Sequence, residues 1–260
     1  MEPEILINRH ERDGVVWAEL TLNRPQKGNA LTMPMLDEIE ARVKSVAADQ
    51  AVRALVIRGH GKFFCTGGDI NAWGALSPHE MAQQWIHRGI DVIDQIAALP
   101  QPVVAVISGH ALGGGLELAL AADFRIGISH AKLGAPEVGL GMIAGWGGVR
   151  RLAENIGLPR ARELTLIGAP ITAQQAHEWG LLMAVAEDAA TLEAELESLL
   201  DKLLANAPLA MRATKSLLAT MALDLRHQHA AAVEQVAGTA DCAEGVAAFR
   251  EKRRPVFKNR

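Results

Sequence analysis

Apolar residues along the chain fall into short runs separated by polar turns. Ile5 to Asn8 and Val15 to Leu22 read as strands, with Asp13-Gly14 as the hairpin signal between them. Asn23-Arg24-Pro25 ends the second strand, and Gln26 to Asn29 is a polar loop. Thr32 is placed to cap a helix running to Ala48, with Pro34 in its first turn. Ala54 to Gly59 predicts a buried strand and Gly61 to Ile70 a loop. Ser77-Pro78 opens a helix to about Leu99, which Pro100 and Pro102 stop.

Val103 to Ile107 is apolar at every position and predicts a strand covered on both faces. It breaks into Ser108 to Leu112, then Gly113-Gly114-Gly115, then an apolar helix that carries Glu117. A carboxylate in such surroundings is costly unless it is paired, at a helix end, or functional. Phe124 to Ile128 reads as a strand, Ala131 to Glu137 as a loop and Gly139 to Gly148 as a glycine-rich run. Helices are predicted at Val149–Ile156, Pro159–Ile167 and Thr172–Trp179, and a last strand at Leu182 to Ala186. This alternation predicts an α/β fold with a mainly parallel sheet over residues 1–190. From Thr191 the pattern is almost purely helical, so residues 191–260 form a helical appendage.

Composition narrows the class. A 260-residue chain that is 49% hydrophobic can bury a substantial core without disulfides or metals. A formal charge of −4 argues against a nucleic-acid-binding surface. Cys65 and Cys242 make no disulfide framework, which fits a reducing compartment. The acidic N-terminus shows no export signal, and no run of about 18 apolar residues is present to span a bilayer. The expectation is a cytoplasmic protein with neither a membrane nor a nucleic acid as partner.

Several motifs fail on inspection. Gly109 and Gly114 have P-loop spacing, but Gly115-Leu116 stands where Lys and Ser or Thr are needed. Gly109-His110-Ala111 breaks a GxGxxG fingerprint, and Ser108 is not set in GxSxG. Gln83 replaces the second His that His79-Glu80 would need for HExxH, so no metal is expected. Cys65 reads as a small buried hydrophobe. What survives is Thr66-Gly67-Gly68-Asp69, Gly113 to Glu117, and Pro136-Glu137. Glycines at a helix start offer bare N–H groups, and two aimed at one point would form an oxyanion hole. Glu117, three residues after Gly114, shares its helix face.

These residues resemble the crotonase family, the enoyl-CoA hydratase/isomerase superfamily. Asn23-Arg24-Pro25 with Asn29-Ala30-Leu31 resembles its N-terminal signature, Phe64 to Ile70 its first oxyanion loop, and Ser108 to Ala119 its second. Gly134 to Glu137 and Ala240 to Gly245 extend the match along the whole chain. The resemblance implies a spiral of ββα units followed by a C-terminal α-helical trimerisation region, assembled as a homotrimer or dimer of trimers. It implies acyl-CoA thioester substrates, with coenzyme A as part of the substrate and no separate cofactor. It makes Gly68 and Gly114 the oxyanion donors and Glu117 and Glu137 the catalytic pair. It places Ala30, Gly68, Asp69, Ile70, Asn71, Gly114 and Gly145 around the substrate. Asp69 also reads as an acceptor that orders its loop.

Many isomerases of the superfamily replace one or both glutamates, so keeping both implies reversible hydration of a 2-enoyl-CoA. Alternatives are another crotonase reaction, as an isomerase or specialised dehydratase, or a non-catalytic RNA-binding member. Ile143-Ala144-Gly145-Trp146 departs from the commoner Ile-Pro-Gly, and Thr66-Gly67-Gly68 from Ala-Gly-Ala, which should free that loop. Lys27 and the basic end (Lys252, Arg253, Arg254, Lys258, Arg260) either touch the nucleotide part of coenzyme A or form solvated surface.

Overall fold

Two sheets organise the chain in the computed structural model, which describes residues 2–219 and 239–260. Strands β1 (Ile5–Arg12) and β2 (Val15–Leu22) form an antiparallel hairpin, turned by Asp13 and Gly14, both with positive φ. After α1 (Met33–Ala48), β3 (Val52–Gly59) joins β2 in parallel. Thr32 caps α1, its hydroxyl accepting from the Met35 N–H at 3.4 Å. The next strand is the three-residue β4 (Phe63–Cys65). Four helical segments follow it: α2 (Ile70–Trp73), α3 (Pro78–Glu80), a π-helical stretch at Met81–Ile86 and α4 (His87–Ala97). Ser77 and Glu80 close a capping box at the start of α3.

The pattern then repeats. A long strand β5 (Val103–Ile107) is followed by a short strand β6 (His110–Leu112) and α5 (Gly114–Leu120). A long strand β7 (Phe124–Ile128) is followed by β8 (Lys132–Gly134), a 3-10 turn at Pro136–Leu140 and α6 (Gly148–Arg162). Each turn of this ββα spiral adds one long strand to a large sheet and one short strand to a small one. β9 (Ile171–Thr172) and α7 (Ala173–Glu178) lead to β10 (Ala184–Ala186), which completes the large sheet in the order β1-β2-β3-β5-β7-β10. β5 lies between parallel neighbours, with every residue fully buried, which is why its sequence has no polar position. The small sheet runs β4-β6-β8-β9. Its three-residue strands β4 and β8 fall where the sequence predicts loops, because so short a run shows no alternation.

Gly157, at φ 75°, breaks α6, so two helices stand there as expected, the second ending in a π-helical turn at Glu163–Ile167. Helices α8 (Ala189–Leu204), α9 (Pro208–Ala219) and α10 (Ala240–Glu251) follow. α8 buries Leu192, Leu196, Leu199, Leu200 and Leu203 and packs on β3, β7 and β10, so it covers the large sheet. The helical pattern expected over 220–238 lies outside the described residues. No helix among the described residues is long and apolar enough to cross a membrane.

Candidate active site

The parallel strands β4, β6 and β8 end side by side, and the chain leaving each one lines a single cavity of about 110 Å³. The carboxyl edge of parallel strands is where open α/β sheets bind ligands. Thr66, Gly67 and Gly68 come from the first strand, Gly113, Gly114 and Glu117 from the second, and Pro136 and Glu137 from the third.

The first loop is built from the Asn23–Leu31 segment. Asn29, at φ 55°, donates through Nδ2 to the carbonyls of His60 at 3.0 Å and Phe63 at 2.8 Å. The Leu31 N–H donates to Gly67 O and the Asp69 N–H to Leu31 O, each at 2.8 Å. Arg24 Nη1 donates to Ala30 O at 3.0 Å and to Asp69 Oδ2 at 2.6 Å. That guanidinium holds the Asp69 carboxyl below its usual range. Asp69 Oδ1 accepts from the Asn71 N–H at 2.9 Å. Of the residues expected around a substrate, Gly68, Ile70, Gly114 and Gly145 line the cavity. Ala30, Asp69 and Asn71 do not: Ala30 and Asp69 are engaged by Arg24, and Asn71 is turned to solvent.

Between the engaged amides of Gly67, Asp69 and Gly113, the N–H groups of Gly68 and Gly114 have no acceptor among the described residues. Gly114 opens α5, where an N–H has no intrahelical partner. Gly113 precedes it at φ 54° and ψ −130°, a conformation that favours glycine. The space beside both donors is filled by indoles. A Cβ on Gly68 would lie 2.6 Å from Trp85 Cζ2, and one on Gly114 2.6 Å from Trp146 Cζ3. Gly68 therefore admits Trp85 rather than freeing the loop. The two buried indoles have ring centroids 5.3 Å apart.

Glu117 sits in the first turn of α5 and is 4% exposed. Its Oε1 accepts from the N–H of Trp146 at 2.7 Å and of Gly148 at 2.8 Å. Burial pushes its pKa up to about 7, and repulsion from Glu137 adds to this. The Gly148 and Trp146 amides and the Arg151 charge oppose the rise. Burial also raises Glu137, whose Oε2 is buried with no hydrogen-bond partner among the described residues. Two carboxylates from separate elements thus face one apolar cavity that also holds two unengaged amides. Such a site can exchange protons with a bound molecule while stabilising charge on its oxygen.

Other candidates fall outside the cavity. Burial pushes the Cys65 thiol up to about 12, so it is a neutral filler. Lys27 is exposed, and Arg253 pairs with Glu244 and Glu251. No group of His, Cys, Asp and Glu among the described residues is arranged to hold a metal ion. Trp85, Trp73, Ile86 and Met142 also line the cavity without standing out in the sequence. Trp85 and Ile86 sit at the end of the π-helical stretch.

The family model described as enoyl-CoA hydratase/isomerase matches residues 12–260. The putative enoyl-CoA hydratase/isomerase YngF of Bacillus subtilis is 40% identical over 249 residues, covering 93% of this chain and 94% of that one. The 2,3-dehydroadipyl-CoA hydratase of Escherichia coli is 34% identical over 262 residues, covering 99% of both. The crystal structure of an enoyl-CoA hydratase from Bacillus anthracis superposes with a TM-score of 0.92 at 34% identity, covering 99% of this chain and 100% of that one.

Proposed function

We propose that this chain, which belongs to the enoyl-CoA hydratase/isomerase family, is an enoyl-CoA hydratase that reversibly adds water to a 2-enoyl-CoA to give the 3-hydroxyacyl-CoA. One observation carries the reading: Glu117 and Glu137 line the same cavity as Gly68 and Gly114, whose N–H groups have no acceptor among the described residues. Those amides would hold the thioester oxygen. As water adds at the β-carbon, electron density moves to that oxygen, where each donor is worth about 10²–10³ in rate.

The two carboxyls share the proton transfers. Burial and the charge of Glu137 favour a proton on Glu117, whereas the two amides on Oε1 favour its charge. Glu137 Oε2 has no donor to hold a charge, so we assign the resident proton to Glu137. Glu117 takes a proton from water as its oxygen bonds to the β-carbon, and Glu137 gives its proton to the α-carbon. The proton that Glu117 took from water then passes to Glu137, which resets the pair. Retention of both carboxyls favours hydration over isomerisation.

The acyl group is uncharged in this proposal. No Lys, Arg or His among the described residues lines the cavity, whose side chains apart from Thr66 and the two glutamates are aliphatic or aromatic. Coenzyme A belongs to the substrate, and the scheme uses no further cofactor. A homotrimer or dimer of trimers is part of the same reading. It is supported by exposed Val138, Leu140, Leu166 and Ile167 on the neighbouring turns 136–140 and 163–167. A cytoplasmic location is supported by the free thiols of Cys65 and Cys242.

Incubation with crotonyl-CoA tests the reaction: enoyl absorbance should fall as 3-hydroxybutyryl-CoA forms, and Glu137→Gln should abolish most turnover. An unchanged rate in that variant would sink the two-carboxyl mechanism.

A further inference from the structure

Arg151 lies behind the cavity, is only 5% exposed, and takes no part in the steps above. Its guanidinium is engaged on two sides, by Trp146 O at 3.3 Å from Nη1 and by the carboxylate of Asp94 on α4 at Nη2. Its own N–H donates to Gly147 O at 3.1 Å. Gly147, at φ 90°, lies so close that a Cβ there would collide with Nη1.

These contacts fall on the turn that serves Glu117. In a trans peptide the carbonyl and N–H point opposite ways. The Gly147–Gly148 peptide is thus held at its oxygen by the backbone N–H of Arg151, as the first turn of α6 would hold it with any residue there, while its N–H reaches Glu117 Oε1. The Trp146 carbonyl is held by the guanidinium while the Trp146 N–H reaches the same oxygen. A buried guanidinium is costly to keep, and a lysine could not reproduce its forked, two-sided grip.

We infer that Arg151 is a positioning residue for hydration: anchored by Asp94, it clamps the Trp146–Gly148 turn so that two amides fix Glu117 Oε1. The inference rests on the reading of Glu117 as a catalytic group. The charged and titratable groups around Glu117 are few. Glu137 comes from the 3-10 turn, Arg151 from α6 and, through it, Asp94 from α4. Cys65 at the end of β4 is a neutral thiol, and His110 on β6 packs against Phe63 and accepts from the Lys132 N–H. Arg151 is therefore the cation that acts on this carboxyl among the described residues.

The test is steady-state kinetics on crotonyl-CoA, across pH, for Arg151→Lys, Arg151→Met and Asp94→Asn, with Glu117→Gln alongside. Arg151→Lys and Arg151→Met should lower kcat by about 10²-fold with KM nearly unchanged, the signature of a misplaced reacting group. In Arg151→Met the acid limb of the rate profile should move to higher pH, because Glu117 loses its cation. In Arg151→Lys the limb should stay. Asp94→Asn, at a half-exposed position, should lower kcat by a smaller factor. Wild-type kcat and acid limb in folded Arg151→Met would overturn the inference. Should that variant not fold, wild-type kcat in both Arg151→Lys and Asp94→Asn would overturn it. If Glu117→Gln itself turns over normally, the catalytic reading of that residue fails. An inactive Glu117→Gln beside a wild-type-like Arg151→Met refutes the Arg151 role alone.

Discussion

Gly148 stands so close to Glu117 that any side chain on it would displace the carboxyl. A Cβ there would lie 2.6 Å from Glu117 Cγ and 2.7 Å from Oε1, the atom to which the Gly148 N–H donates at 2.8 Å. The missing side chain and the amide serve the same oxygen. Gly148→Ala should therefore move Glu117 and lower kcat by about 10²-fold. Overpacking should also cost about 1–3 kcal/mol of stability. Steady-state kinetics and urea unfolding measure the two effects separately, and a wild-type kcat would mean that the carboxyl's placement is not critical.

Glu117 also links the site to stability. Its folded pKa is about 7 against 4.5 for the free group, so the folded chain keeps a proton that the unfolded chain releases. This contribution is fully present below about pH 4.5 and is lost as pH rises through about 7, amounting to about 3 kcal/mol in all. Gln cannot ionise, yet its amide oxygen can still accept from Trp146 and Gly148. Glu117→Gln should accordingly gain on the wild type in Tm as pH rises across that window. Thermal unfolding at several pH values checks this, and a constant difference would contradict the raised pKa.

How much of this is legible in the sequence depends on the range of the interaction concerned. Thr32, Ser77 and the unbroken β5 run act within a few residues, so their elements can be read directly. Glu117 is conspicuous as a charge inside an apolar helix. Glu137 has less contrast: a loop acid between Pro136 and a glycine-rich run, it is marked as a candidate by its setting but given a role only by the family resemblance. Arg151 follows Arg150 in an exposed-looking helical stretch. Its burial depends on Asp94, which is distant in sequence. Ala30, Asp69 and Asn71 show the complementary case. The motif around them is plain, but its residues hold the loop that carries Gly68 instead of lining the cavity.

The indoles of Trp85 and Trp146 limit the acyl group. They abut the two donor glycines, so chain length should be restricted close to the reacting carbons. Trp146→Ala keeps the backbone amide that serves Glu117 while removing the ring. It should raise kcat/KM for 2-octenoyl-CoA relative to crotonyl-CoA by about tenfold or more, at a stability cost of about 3–5 kcal/mol. Trp85→Leu, a smaller change, should shift the ratio the same way. An unmoved ratio in both folded variants would place the acyl chain elsewhere.

Charge on the acyl chain should be discriminated more sharply. A second carboxylate would enter a cavity that already holds Glu117 and Glu137 and has no lining cation among the described residues. Leaving such a charge unpaired is expensive, so 2,3-dehydroadipyl-CoA should react with a kcat/KM at least about 10²-fold below that of 2-hexenoyl-CoA. Side-by-side kinetics on the two thioesters decide this; comparable values would show that a cation reaches the acyl end.

The assignment of the resident proton to Glu137 makes a prediction about the shape of the pH profile. The active pair carries one proton, so kcat/KM should be bell-shaped, its limbs belonging to the pair rather than to either residue alone. The acid limb marks Glu117 losing its proton while Glu137 is still neutral. Without the repulsion of an ionised Glu137, this limb should lie somewhat below about pH 7, the value that includes it. The alkaline limb marks Glu137 losing its proton beside a charged Glu117. Glu137→Gln, with residual activity of about 10⁻² to 10⁻⁴, should keep the acid limb and lose the alkaline one. If instead the variant keeps only the alkaline limb, the proton resides on Glu117, and the roles of acid and base are exchanged.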